Sequence, residues 1–172
     1  NCCGTLTSRV EGANKLNQFT MKDDKVKDFI LNTKKKSEIT VENIVSGHYF
    51  IYRFIKTDLM PNQLNVLKVQ TKIGSRWRQT GYFKNDDTYI NTQSSHIKWI
   101  ENTSESVQYT QQASIFNKIV QRYVITLKPF KDIKIHHNGH CSICGKKLST
   151  PESIENGIGP VCEKELNKLL KK

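Results

Sequence analysis

The sequence predicts an α+β fold: a small antiparallel sheet with flanking helices, followed by a C-terminal cysteine-bearing knuckle-and-helix unit. Three observations predict it. Runs with strand character cluster between residues 48 and 92, where alternating side chains imply a pleated ribbon with two unlike faces. Runs with helical spacing precede and follow them. Near the end, Cys141-Ser142-Ile143-Cys144 is answered by a third cysteine, Cys162, behind Gly157-Ile158-Gly159-Pro160. A chain of 172 residues suits one modest domain plus a small appendage. It divides as a polar N-terminal segment with a short helix (1–36, with Met21 as an alternative start), a small α+β body (37–135) and a C-terminal module (136–172).

Taken in order, Lys22 to Asn32 has helical spacing at Val26, Phe29 and Ile30. His48 to Ile55 is almost continuously apolar or aromatic, which predicts a strand buried on both sides. Leu64 to Ile73 alternates, with Leu67, Val69 and Ile73 on one face and Lys68, Gln70 and Lys72 on the other. Gly74-Ser75 reads as a hairpin turn. Arg76 to Phe83 continues the alternation: Trp77 and Phe83 share the core face, and Arg76, Arg78 and Tyr82 the opposite one. Short strands are expected at Thr88–Thr92 and Ile97–Ile100. Tyr109, Ala113, Phe116, Val120 and Tyr123 recur at helical intervals, which predicts a helix from Ser106 to Tyr123. Val124 to Leu127 reads as a strand stopped before Pro129, and Lys131 to His136 as an extended lead into the cysteine module.

Inside that module, Thr150 is placed to cap a helix whose first residue is Pro151, and Gly157 to stop it in a left-handed conformation. Gly159-Pro160 starts a second helix, so Cys162 falls in its first turn, with Leu166, Leu169 and Leu170 on one side. Leu148 can plug the centre. A segment of this length buries too little apolar surface to fold alone. Cys-x-x-Cys from a tight turn, a third thiolate from elsewhere and the histidines His136, His137 and His140 suit tetrahedral zinc, which takes four sulfur or nitrogen ligands. Cys141, Cys144 and Cys162 are the expected sulfur ligands. His140 is the first choice for the fourth and His137 the second; water or a carboxylate such as Glu163 would serve otherwise.

The run from Gly139 to Cys162 resembles the short zinc-finger domain of unknown function found at the C-terminus of many bacteriophage and prophage proteins. Its pattern is Cys-x-x-Cys-Gly-x-x-Leu-(Ser/Thr)-x-x-x-Ser-x-x-x-Gly-(Ile/Tyr)-Gly-Pro-x-Cys. Cys141, Cys144, Gly145, Leu148, Ser149, Ser153, Gly157, Ile158, Gly159, Pro160 and Cys162 all match it. A looser likeness extends upstream, where Gly47-His48-Tyr49 and Gly74-Ser75-Arg76-Trp77 correspond to the β-rich region that often precedes the finger. The resemblance implies a zinc-binding module and a phage or mobile-element setting, and leaves the biochemical role open.

The net charge is +11. From Ile51 to Lys84 seven basic residues face the single acid Asp58, a bias that favours polyanions through Coulomb attraction and counterion release. Lys68, Lys72, Arg76, Arg78 and Tyr82 are the expected nucleic-acid contacts on the hairpin, extended by Lys146 and Lys147 on the finger. The partner is expected to be DNA or RNA without sequence specificity. The competing reading is an adaptor or inhibitor docking on an acidic host or phage protein. Catalysis is not expected: there is no glycine-rich phosphate loop, Asp86-Asp87 beside Asn85 reads as a turn, and His48, Asp58 and His96 are scattered. The five cysteines, an odd number, favour a metal cluster in a reducing, cytoplasmic compartment of the host cell over a disulfide scaffold. No run is long and apolar enough to suggest a membrane span.

Overall fold

A seven-stranded antiparallel sheet, ordered β1-β7-β2-β3-β4-β5-β6, organises the chain. The computed structural model describes residues 18–57, 66–84, 86–91, 104–125 and 130–170. The strands are β1 (Phe19–Thr20), β2 (Lys36–Asn43), β3 (Tyr49–Thr57), β4 (Val66–Ile73), β5 (Arg76–Phe83), β6 (Tyr89–Asn91) and β7 (Ile133–His137). The helices are α1 (Val26–Leu31, entered through the 3-10 turn Asp23–Lys25), α2 (Ser104–Ile119, continued by a π-helical stretch Val120–Ile125), α3 (Pro151–Asn156) and α4 (Pro160–Leu170). Among the described residues no helix is long and apolar enough to cross a membrane.

The α+β expectation holds, and most elements lie close to their expected places. Three differ. β2 was not anticipated, although Ile39-Thr40-Val41 is a β-branched run with Ile39 and Val41 on one face. It occupies the middle of the sheet between β3 and β7. The expected strand at Val124 instead begins inside the π-helical stretch that prolongs α2. β3 is buried on one side only: Tyr52 and Phe54 are buried, while Ile51, Arg53 and Ile55 are half-buried. The strand expected at Ile97–Ile100 lies outside the described residues, as do Cys2, Cys3, Asp58 and His96.

The sheet and core run across the boundaries expected at 36 and 135. β1 pairs with β7, Phe19 opposite His137, and β7 pairs with β2, Thr40 opposite His136. Met21, Val26, Phe29 and Ile30 join one apolar core with Ile39, Val41, Tyr52, Phe54, Val69, Phe116, Tyr123 and Ile135. Tyr109, Ala113, Phe116 and Tyr123, spaced as a helix requires, are all buried. Phe116 packs against Tyr52 and Tyr89, with ring centroids 4.8 and 5.5 Å apart. A polar clasp fixes α2 on the sheet. The Tyr52 hydroxyl donates to the Gln112 carbonyl at 2.8 Å, and Gln112 Nε2 donates to Thr71 Oγ1 and to the Lys72 carbonyl. Burying an amide costs free energy unless its groups are paired, so Gln112 sits where both β4 acceptors meet it.

A bulge decides the faces of the hairpin. Val69 faces Gly81, but Gln70 faces Gln79, so β5 carries one extra residue, Thr80, opposite β4. An inserted residue reverses the in–out alternation beyond it. Thr80, Gly81 and Phe83 are therefore buried on the α2 side. Gly81 is required there, because a Cβ would collide with the Ile90 carbonyl and the Tyr89 ring of β6. The expected pairing of Trp77 with Phe83 is thus overturned: Trp77 lies opposite Lys72, on the face shared by Lys68, Gln70 and Tyr82. Arg76 and Arg78, opposite Ile73 and Thr71, belong to the other face. Trp77 is half-buried rather than part of the core.

Candidate metal centre and basic sheet face

The C-terminal module is built as its punctuation predicts. Thr150 Oγ1 accepts from the Ser153 N–H at 3.3 Å, Pro151 opens α3, and Gly157 closes it at φ 72°. Only a residue without Cβ suits Gly157. The conformation is left-handed, and any Cβ would also strike the Phe29 ring of α1. The knuckle is a small hairpin: Gly145 N–H donates to the Cys141 carbonyl at 2.9 Å, Cys141 N–H to the Lys146 carbonyl at 2.8 Å, and Leu148 N–H to the Gly139 carbonyl at 2.7 Å. Cys141, Ile143, Leu148 and Ile158 form its own apolar cluster, against which Ile154, Cys162 and Leu166 pack.

These turns bring the sulfurs of Cys141, Cys144 and Cys162 within 4.8 Å of one another. Zinc–sulfur bonds of about 2.3 Å separate tetrahedral sulfurs by about 3.8 Å, so the three could hold a metal ion with little adjustment. The sulfur environment agrees. Burial raises the Cys141 thiol, but the backbone N–H groups of Cys144, Gly159 and Ile143 outweigh it and bring it below its ordinary value. The Gly159 N–H reaches that sulfur at 3.3 Å. Cys162 is pushed up to about 12, by burial first and then by the neighbouring Cys144 and Cys141 sulfurs. Three thiols crowded around one point favour a cation that replaces their protons.

Among the described residues no histidine or carboxylate joins the three sulfurs within that distance. His140 is exposed and forms a β-bridge with Lys147. His137 is buried and spoken for: its Nε2–H donates to the Ile154 carbonyl at 2.5 Å, and its Nδ1 accepts from the Gly139 N–H at 3.0 Å. It also packs between the Phe19 and Phe29 rings, at 5.9 and 5.7 Å. His137 is therefore the joint between the sheet and the cysteine-bearing module. The Glu163 carboxylate takes Asn156 Nδ2 at 3.2 Å and Lys25 Nζ at 3.4 Å. A cleft beside the sulfurs is lined by Lys34, Lys146, Lys147, Leu148, Val161 and Glu165.

The second candidate site is the sheet face turned away from α2. Lys68 lies opposite Tyr82, Lys72 opposite Trp77, Arg53 opposite Gln70 and Ile55 opposite Lys68. Arg53 Cζ stands 4.2 Å above the centre of the Trp77 ring, and Lys72 Nζ lies 5.9 Å from it. Both Arg53 Nε and Nη2 donate to Gln70 Oε1, which holds the guanidinium in place. Sequence reasoning missed Arg53 and Trp77 as members of this face. Arg53 could have been found from the alternation of β3 itself; Trp77 could not, because the bulge is set by pairing with β4 and β6.

A family of unknown function, DUF6011, matches residues 136–167, which contain the cysteine cluster. No curated protein and no solved structure matches the chain.

Proposed function

We propose that this chain is a zinc-stabilised, non-catalytic nucleic-acid-binding protein of phage or mobile-element type that takes phosphates on the open face of its sheet. The observation that carries the proposal is the grouping of Arg53, Lys68 and Lys72 on one face of three strands, β3 to β5, that contain no acidic residue. β2 adds two acids to this face, Glu38 opposite Arg53 and Glu42 bonded to His136, but Lys68 lies between Ile55 and Tyr82 and Lys72 opposite Trp77, so these two lysines are placed to exchange counterions for phosphates. Exposed Lys146 and Lys147 supply a second cationic patch beside the cysteines. Zinc is the metal that three thiolates on a knuckle and a helix N-terminus suit best, and its role is to staple residues 136–170. The zinc-finger resemblance supports the phage setting.

The test is a salt titration of binding to random-sequence DNA and RNA. Three phosphate contacts give a log–log slope of about −2 to −3. Reversing Lys68 and Lys72 together should weaken binding and flatten that slope. Reversing Arg76 and Arg78, on the other face, should weaken it less. An absence of affinity at low salt for either polymer would refute the proposal and favour docking on an acidic protein.

A further inference from the structure

We infer that the bound nucleic acid is single-stranded, with unpaired bases laid on the Arg53–Trp77 stack and on Tyr82. This rests on the reading above and adds the class of ligand. The open face is not merely basic. Between its cations it shows half-buried Ile51, Ile55, Val66, Trp77, Tyr82 and Ile90. A duplex offers a sheet face phosphates, while its bases stay stacked inside; those apolar groups would stay wet against it. Unstacked bases can cover them, which is how sheet platforms hold single strands. The geometry supplies both halves of such a contact. Arg53, held by Gln70, stands with its guanidinium carbon 4.2 Å over the centre of the Trp77 ring. Lys72 flanks Trp77, and Lys68 sits across from Tyr82. Lys68 and Lys72 are four residues apart on β4, about 13 Å along the strand, so each aromatic has its own cation for the adjoining phosphate. The β5 bulge is what places both rings on this side.

The chain has two tryptophans, so a Trp99→Phe protein reports Trp77 alone. Its emission is followed during titration with oligo(dT), oligo(U), a blunt duplex of equal phosphate number and inorganic polyphosphate. The inference expects quenching by the single strands and affinity for them at least tenfold above that for duplex. Trp77→Leu should lower single-strand affinity about tenfold or more, while polyphosphate binding stays within about twofold; Trp77→Phe should restore much of the loss. A melting curve checks that each variant folds, and the quench is read without altering Trp77. Equal affinity for duplex and single strands, or polyphosphate binding as tight as oligo(dT), overturns the stacking inference and leaves the charge-based function standing. Binding to none of the four polyanions overturns both.

Discussion

Replacing Gly157 by alanine tests how the metal module is seated on the sheet. Two penalties follow from the structure. At φ 72° an L-residue pays about 1–2 kcal/mol for the left-handed conformation. The new methyl also enters the Phe29 ring, and overpacking of this kind costs about 1–3 kcal/mol. Together they predict a loss of about 2–5 kcal/mol, measured by urea unfolding of the zinc-loaded protein and accompanied by faster metal transfer to a chelator. The steric part belongs to one ring. In a Phe29→Leu background the cost of Gly157→Ala should therefore shrink toward the backbone term alone. A double-mutant cycle whose two losses add within about 0.5 kcal/mol would refute the docking of Gly157 on α1, and with it the view that sheet and metal module share a core.

Cys144→Ser and Cys162→Ser should each abolish stoichiometric zinc retention and expose residues 136–170 to hydrogen exchange, while the β3–β5 amides stay protected; full occupancy by elemental analysis in either variant would refute the ligand set. His137 is held below its ordinary value of about 6.5, by burial above all, with the Ile154 carbonyl acting in the opposite sense. Below that ordinary value the unfolded chain takes up a proton that the folded one resists, so stability falls as pH drops from about 6.5 toward the folded value. His137→Gln should lose this part of the pH dependence, as read from urea midpoints across the range. Thr150→Ala removes the acceptor for the Ser153 N–H and should cost about 1 kcal/mol in the same assay, with zinc still bound.

Legibility differed sharply between the two sites. The cysteine cluster was readable because its information is local: two cysteines on a turn, a capped helix, a left-handed glycine and a proline restart place three sulfurs through bonds and turns a few residues long. Its limits show at the histidines. His137 and His140 are close in sequence to Cys141, yet the pairing of β7 with β1 and the approach of α3 commit His137 to Ile154 and Gly139. The basic face was half readable. β4 alternates without interruption, so Lys68 and Lys72 share one face as the alternation predicts. β5 is interrupted by its bulge, so simple alternation assigns Arg76, Arg78 and Trp77 to the faces opposite those they occupy. β2 draws its burial from β3, the other arm of its own hairpin, and from β7, which joins it from far along the chain.

By itself, the order of residues determined the α+β class, the sulfur triad and the excess of positive charge, because each depends on residue type and short-range spacing. The tertiary structure alone decided which cations share a face with which rings, and that His137 is a joint. The first follows from the bulge in the β4–β5 hairpin, which the alternation of residue types does not reveal, and the second from the pairing of β7 with β1, which lie far apart along the chain.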